Sequence, residues 1–316
     1  MPAPDPTSRL LPLTAVAVTL VLWASAFVAI RHLGGTFGPG SLSLGRLLVG
    51  AAALGITLAV RGGWRRPDQG ALPRLVVIGL LWFGVYNLAL NAGEHRVDAG
   101  TAAMLIQLSP LLVAVMAALV LGERFTLMLG VGLGVAFAGV VLIATATSGP
   151  GERDLLGVGL CLLSAAAYAV SLVVQKPLMS RFSALQVTWT ACAVGAVACL
   201  PFAGELLGDL REASVADTGW VVYLGLFPTA IAFTTYGYAL SHMSAGRLSV
   251  TTYLVPPLTV LMSWAVLSEA PPSMAYVGGA LCLLGVALTR RTGRRRSAGT
   301  PAGPVERVGP EPVTGR

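Results

Sequence analysis

Residues 99–126 read AGTAAMLIQLSPLLVAVMAALVLGERFT, and residues 245–272 read AGRLSVTTYLVPPLTVLMSWAVLSEAPP. At a shift of 146 residues, without a gap, Ala99 and Gly100 meet Ala245 and Gly246, Pro110 meets Pro256, Leu112 meets Leu258, and Glu123 meets Glu269. The register continues outward in both directions. Gly79 meets Gly225, Val131 and Gly132 meet Val277 and Gly278, and Gly139 meets Gly285. Nearer the start of each half the shift is 145, where Trp23 meets Tyr168, Arg31 meets Lys176 and Phe37 meets Phe182. Apolar segments match by chance easily. A register that also keeps a proline and a glutamate does not, so the chain is read as two copies of one unit.

Each copy is built of apolar runs. Of the 316 residues, 55% are hydrophobic and 38 are glycine, while only 11% are charged. A soluble domain carries about 25% charged residues. This composition excludes an ordinary soluble protein, a disordered chain and a nucleic-acid binder with a basic surface. A membrane helix needs about 20 apolar residues. Ten runs of that size occur, near 11–32, 41–60, 71–91, 99–121, 126–147, 155–175, 184–204, 218–240, 246–267 and 273–290. Abundant glycine and alanine suit helices that approach closely in lipid. The fold expected is an all-α integral membrane protein of ten transmembrane helices, arranged as two inverted five-helix repeats, since an odd number of spans reverses the second copy.

Loop charge sets the orientation. With the N-terminus cytoplasmic, the inner side carries 16 Arg and Lys and the outer side four, Arg31, Arg96, Arg153 and Arg211. The net charge of +7 is then a topology signal. The expected organisation is a cytoplasmic N-terminus (1–10), a first repeat (11–147), an outer loop (148–154), a second, inverted repeat (155–290) and a disordered basic cytoplasmic tail (291–316). The run Ala24-Ser25-Ala26 has the look of a signal-peptidase site, but Trp23 and the apolar residues 27–30 argue against cleavage. The four cysteines, Cys161, Cys192, Cys199 and Cys282, lie in apolar runs without a CxxC pattern and read as small hydrophobes.

Polar and aromatic residues concentrate on particular spans. They are Trp23 and Ser25 in the first, Trp82, Tyr86, Asn87 and Asn91 in the third, and Gln107 in the fourth. Tyr168, Ser171 and Gln175 follow in the sixth, Thr235 and Tyr236 in the eighth, and Thr252 and Tyr253 in the ninth. Two readings stand: a neutral, aromatic-walled cavity for a small-molecule substrate, or hydrogen bonds between helices and aromatic belts. Pro110, Pro256 and Pro257 lie at mid-run, where proline removes a backbone hydrogen bond. They are candidate hinges, although proline is common in membrane helices. Arg46 is the cation well inside a span. It anchors a substrate carboxylate, acts as a gating or structural charge, for instance by pairing with an acid of another span, or snorkels to the outer surface. Glu123 and Glu269, at the ends of the fourth and ninth spans, are candidate gating or structural charges.

In order, spacing and duplication these motifs resemble the EamA-type branch of the drug/metabolite transporter superfamily, over roughly residues 11–290. The resembling stretches are WASAFV (23–28), Arg46, the 99–126 run with Pro110 and Glu123, YLGLFPTA (223–230), and the 245–269 run. Ala24 and Ser268 stand where that family commonly has glycine. The resemblance implies a secondary transporter that moves small metabolites such as amino acids across the inner membrane, often outward, through a cavity between the halves. Alternatives are an uptake permease of the same fold, a membrane enzyme acting on lipids, and a passive scaffold. The scattered acids offer an enzyme no paired site. No phosphate-binding loop GxxxxGK[ST] occurs, so no ATPase partner is implied. No acid is expected at mid-span, which favours diffusion or exchange over proton drive. No cofactor, metal or nucleic acid is expected; the lipid bilayer is the surrounding partner, and the sequence sets no oligomeric state.

Overall fold

The computed structural model describes residues 6–109, 111–112, 115–116, 127–146, 154–242 and 251–297. Among them every regular element is helical. The elements are α1 (Pro6–Leu33), α2 (Pro39–Arg61), α3 (Ala71–Glu94), α4 (Ala99–Ile106), α5 (Leu127–Ala146), α6 (Leu155–Gln175) and α7 (Ala184–Ala198). They continue with α8 (Ala203–Glu212), α9 (Val215–Leu224, Gly225–Ile231 and Ala232–His242), α10 (Val255–Leu267) and α11 (Ser273–Ser297). Among the described residues five helices are long and apolar enough to cross a membrane: α1, α2, α3, α6 and α9. The α7–α8 pair is a sixth if counted as one span, and shorter apolar stretches lie at Gly130–Ile143, Thr252–Leu267 and Ser273–Gly285. The exterior is apolar: Ile56, Val60, Phe137, Leu261 and Trp264 are each more than half exposed. Polar groups such as Ser41, Asn91, Thr101 and Ser164 are enclosed instead.

Helix boundaries follow local chemistry. The side chain of Asp98 accepts from the Thr101 N–H at 2.8 Å, Asp154 from Gly157 at 2.9 Å, and Ser214 from Asp217 at 3.1 Å. Acids that read as loop charges are therefore helix caps, each worth about 1 kcal/mol. α2 ends at Gly62, whose φ of +69° is open to glycine and strained for other residues.

The two copies interlock. α1 and α2 pack on α9, while their repeat counterparts α6 and α7 pack on α3. Glycines make these approaches possible. A methyl at Gly225 would come 2.5 Å from Val49 Cβ on α2, and one at Gly195 of α7 would come 2.4 Å from Phe83 Cβ on α3. α5 and α11 cross in the same way, with Gly139 against the Gly278 carbonyl and Gly278 against that of Gly139.

α3 and α9 carry a further shared feature. Each widens into a π-helical turn, Gly79–Val85 and Gly225–Ile231, and the two turns lie 146 residues apart end to end. A π turn leaves carbonyls poorly matched. In α3 the Asn87 amide takes them, donating to Phe83 O at 2.9 Å and Trp82 O at 3.3 Å. In α9 the Thr229 hydroxyl donates to Leu224 O at 2.9 Å.

Several expectations need revision. The run 184–204 is broken after Ala198, and α8 leaves at 52° to lie across the start of α2. There Asp209 accepts from the Gly38 N–H at 3.0 Å and from the Ser41 hydroxyl. α3 runs on to Glu94, because a helix end packed in protein tolerates an acid that a hydropathy window rejects. Pro256 and Pro257 occupy the first turn of α10 after a 3-10 turn at Thr252–Leu254, not the middle of a helix. Proline fits there because first-turn N–H groups have no partner within the helix. α11 continues to Ser297, beyond the expected end at residue 290; arginine is a good helix former and its charge suits a helix C-terminus. Pro110 and Glu123 lie outside the described residues.

Candidate functional site

A cavity of about 590 Å³ lies between α1, α2, α3, α4, α6, α7 and α9, with the start of α10 at its edge. Small-molecule sites typically fall in this size range, about 300–1,000 Å³. Its wall is a continuous set of rings from four helices. Trp23 of α1 lies 5.0 Å from Tyr236 and 5.7 Å from Phe233 of α9. Trp82 of α3 lies 5.2 Å from Phe233 and 5.0 Å, edge to face, from Tyr168 of α6. Tyr86 meets Tyr168 at 6.3 Å. Edge-to-face contacts are the favoured geometry for such rings.

Of the residues expected here, the structure brings Trp23, Trp82, Tyr86, Asn87, Gln107, Tyr168, Gln175, Tyr236 and Thr252 to the lining. Gln107 also ties two helix breaks together, donating from Nε2 to the main-chain oxygen of Thr252. Ser25, Asn91, Ser171, Thr235 and Tyr253 do not line the cavity. The Ser25 hydroxyl lies 2.6 Å from the Tyr223 hydroxyl, and Asn91 donates to Ser43 Oγ at 2.9 Å. Ser171 donates to its own helix at Ala167 O, and the Thr235 hydroxyl lies 2.8 Å from that of Thr19. These four hold helices to one another or bond within a helix. Thr229, one of the polar residues of the eighth span, lines the space too; so do Phe83, Phe233 and Thr188, which the sequence does not mark as candidates. An apolar ring in an apolar run carries no contrast by which to find it.

Arg46 lines the cavity and is only 7% exposed. It does not snorkel outward. Its Nη2 donates to Thr229 Oγ1 at 3.3 Å, in the π turn of α9, and its Nε has no partner among the described residues.

The two ends of the molecule differ. At one end Arg31 donates to Glu269 from Nη2 at 2.7 Å and from Nε at 3.1 Å. Its Nη1 donates to the main-chain oxygen of Glu94 at 2.8 Å. One guanidinium thus joins the ends of α1 and α3 to the residue just beyond the Ser268 cap of α10. The Glu94 side chain is fully buried beside this junction, and neither carboxylate oxygen has a hydrogen-bond partner among the described residues. At the other end the cavity reaches Met179, within the loop between α6 and α7, and Ala184, the first residue of α7. In that loop Arg181 pairs with Asp68, which also accepts from the Ala71 N–H. These contacts hold the Asp68 carboxyl below its ordinary pKa.

Comparison with known proteins places these features in context. The model of the EamA-like transporter family matches residues 10–145 and again 155–291. A protein of Streptantibioticus cattleyicolor named "Probable terminal-alkyne amino-acid exporter" is 40% identical over 289 residues, which is 91% of this chain and 96% of that one. A Bacillus subtilis protein, "Uncharacterized transporter YdfC", is 32% identical over 85% of this chain and 87% of its own. A solved crystal structure, 22% identical, superposes with a TM-score of 0.61 over 90% of this chain and 98% of that one, a likeness of fold. With two matches that together span most of its length and relatives named as transporters, this multi-pass membrane chain belongs to the EamA-like transporter family.

Proposed function

We propose that the protein exports a small amphipathic, amino-acid-like metabolite across the bacterial inner membrane by alternating access. The observation that carries this reading is the asymmetry of the cavity. It extends to Met179 and Ala184 at the arginine-rich end, while Arg31 and Glu269 join helices across the opposite end. The positive-inside bias makes the arginine-rich end cytoplasmic, with both termini there, so the cavity faces the cytoplasm. On this reading the chain is ten helices in two inverted repeats, 11–147 and 155–290, that rock about the aromatic cavity. Pro110, Pro256 and Pro257 are proposed as the flexible points. The Arg31–Glu269 pair is the proposed outer gate. By repeat symmetry Glu123 and Lys176 are its inner counterpart. The name of the Streptantibioticus cattleyicolor relative supports amino-acid export.

Export is tested in cells preloaded with labelled L-propargylglycine, with and without induced expression. Faster loss of label on expression is the expected result. Faster accumulation from outside, with no effect on loss, makes the protein an uptake permease. No effect in either direction, at a verified membrane level, rejects this class of cargo.

A further inference from the structure

We infer that Arg46 binds the carboxylate of the transported molecule, and that the cargo is a singly charged organic acid or amino acid with a compact apolar body. This rests on the reading of the cavity as the transport route. Arg46 is the one charged group among the described residues that line the cavity. A guanidinium offers five donors in a planar fork. Among the described residues this one makes a single hydrogen bond, to Thr229, and no acid lies within salt-bridge distance of it. Glu94 acts on it through space but forms no bond to it. A cation enclosed this completely is costly unless paired, and the cavity provides space for the missing partner.

The rest of the lining narrows the chemistry. One cation balances one negative charge, so a carboxylate fits and a doubly charged phosphate does not. Trp23, Trp82, Tyr168, Phe233 and Tyr236 leave the body of the ligand an apolar, aromatic surface. The described lining has no carboxylate to receive an ammonium group, which would instead meet ring faces. An α-amino group is therefore accommodated, whereas the carboxylate is required.

The test is titration of the full chain in lipid nanodiscs, read by intrinsic fluorescence of the cavity residues Trp23 and Trp82. The probes are L-propargylglycine, L-norleucine, L-phenylalanine and phenylacetate, each beside its amide. At least one acid is expected to bind tenfold or more tightly than its amide. Arg46→Gln is expected to erase that preference. Because this change takes from the buried Glu94 one of its two nearby cations, leaving Arg31, the double variant Arg46→Gln/Glu94→Gln is measured too, with melting curves for both; it is expected to fold and to show no preference. Equal binding of acid and amide, or a preference that survives either variant, overturns the role of Arg46 and leaves the transport reading standing. Failure of every acid to bind wild type overturns the substrate class, and the cellular export assay then decides the transport reading separately.

Discussion

Arg31 and Glu269, 238 residues apart in the chain, meet through a forked contact with Nη2 to Oε1 at 2.7 Å and Nε to both carboxylate oxygens at 3.1 Å. The side chains are 30% and 26% exposed, so water weakens the pair without dissolving it. About 1 kcal/mol is a reasonable worth for such a contact, or roughly fivefold in the population of the joined state. Glu269→Gln is therefore expected to open this end several-fold more often. Ile30 is fully buried and lines the cavity nearby. A cysteine placed there should react several-fold faster with an impermeant maleimide added from the Glu269 side when Glu269 is Gln. An unchanged labelling rate would show that the pair does not control access.

The interlocking of the copies depends on close glycine approaches. Gly225→Ala would place a methyl 2.5 Å from Val49 Cβ and 2.8 Å from the Arg46 carbonyl. Overpacking of this kind costs about 1–3 kcal/mol. A methyl added at Gly208, on the exposed side of α8, would have nothing within 4 Å among the described residues. Gly225→Ala should lower the apparent melting temperature by several degrees, while Gly208→Ala leaves it unchanged or raises it. Equal effects of the two changes would contradict the packing argument.

The parts of this structure that are legible in the sequence are those with contrast. The duplicated glycines, prolines and glutamates stand out from an apolar background, and so do Trp23, Trp82, Tyr86, Tyr168 and Tyr236. Facing is harder to read. Residues four apart on a helix diverge by about 40°. Asn87 thus reaches the cavity while Asn91 turns to Ser43 on α2. Glu94 reads as a loop residue because charge ends an apolar window, yet tertiary packing encloses it completely. Pro256 and Pro257 read as mid-helix residues for a related reason: hydropathy records that a run is apolar, not that its helix starts partway along.

Ser268 closes α10 in the left-handed region, with φ 54° and ψ 28°, and is the non-glycine residue with positive φ among the described residues. An L-residue there pays roughly 1 kcal/mol that glycine does not. Ser268→Gly is expected to raise the apparent melting temperature by about 2 °C. A decrease would mean that the serine side chain contributes something the backbone argument omits.

The Asp68–Arg181 pair gives a pH dependence of definite sign. The Arg181 hydrogen bond, with backbone bonds from Ala71 and Gly70, holds the Asp68 carboxyl below its ordinary value of 3.8. A depressed acid contributes stability that is present above the unfolded-state value and is lost as pH falls through the folded-state value. Asp68→Asn should therefore lower stability slightly at pH 7 and make no difference in strong acid, near pH 2. Both side chains are about half exposed, so the effect at pH 7 is small and should shrink in high salt. A difference between wild type and variant that grows as pH falls would reverse the assignment.

Glu94 and Glu269 sit around the same arginine but are held differently, which separates a fully enclosed acid from a partly exposed one. Glu269 accepts side-chain bonds from Arg31, whereas Arg31 reaches only the main-chain oxygen of Glu94. Removing the charge at Glu269 discards a formed contact. Removing it at Glu94 discards none, because both oxygens lack donors and the side chain is fully enclosed. An enclosed acid without donors is a cost to the fold, and glutamine of nearly the same shape carries no charge to desolvate. Glu94→Gln is therefore expected to melt at or above the wild-type temperature, and Glu269→Gln below it. If Glu94→Gln proves the more destabilising of the two, its carboxylate has a partner, and Arg31 and Arg46 are the cations to examine, the latter by the double variant.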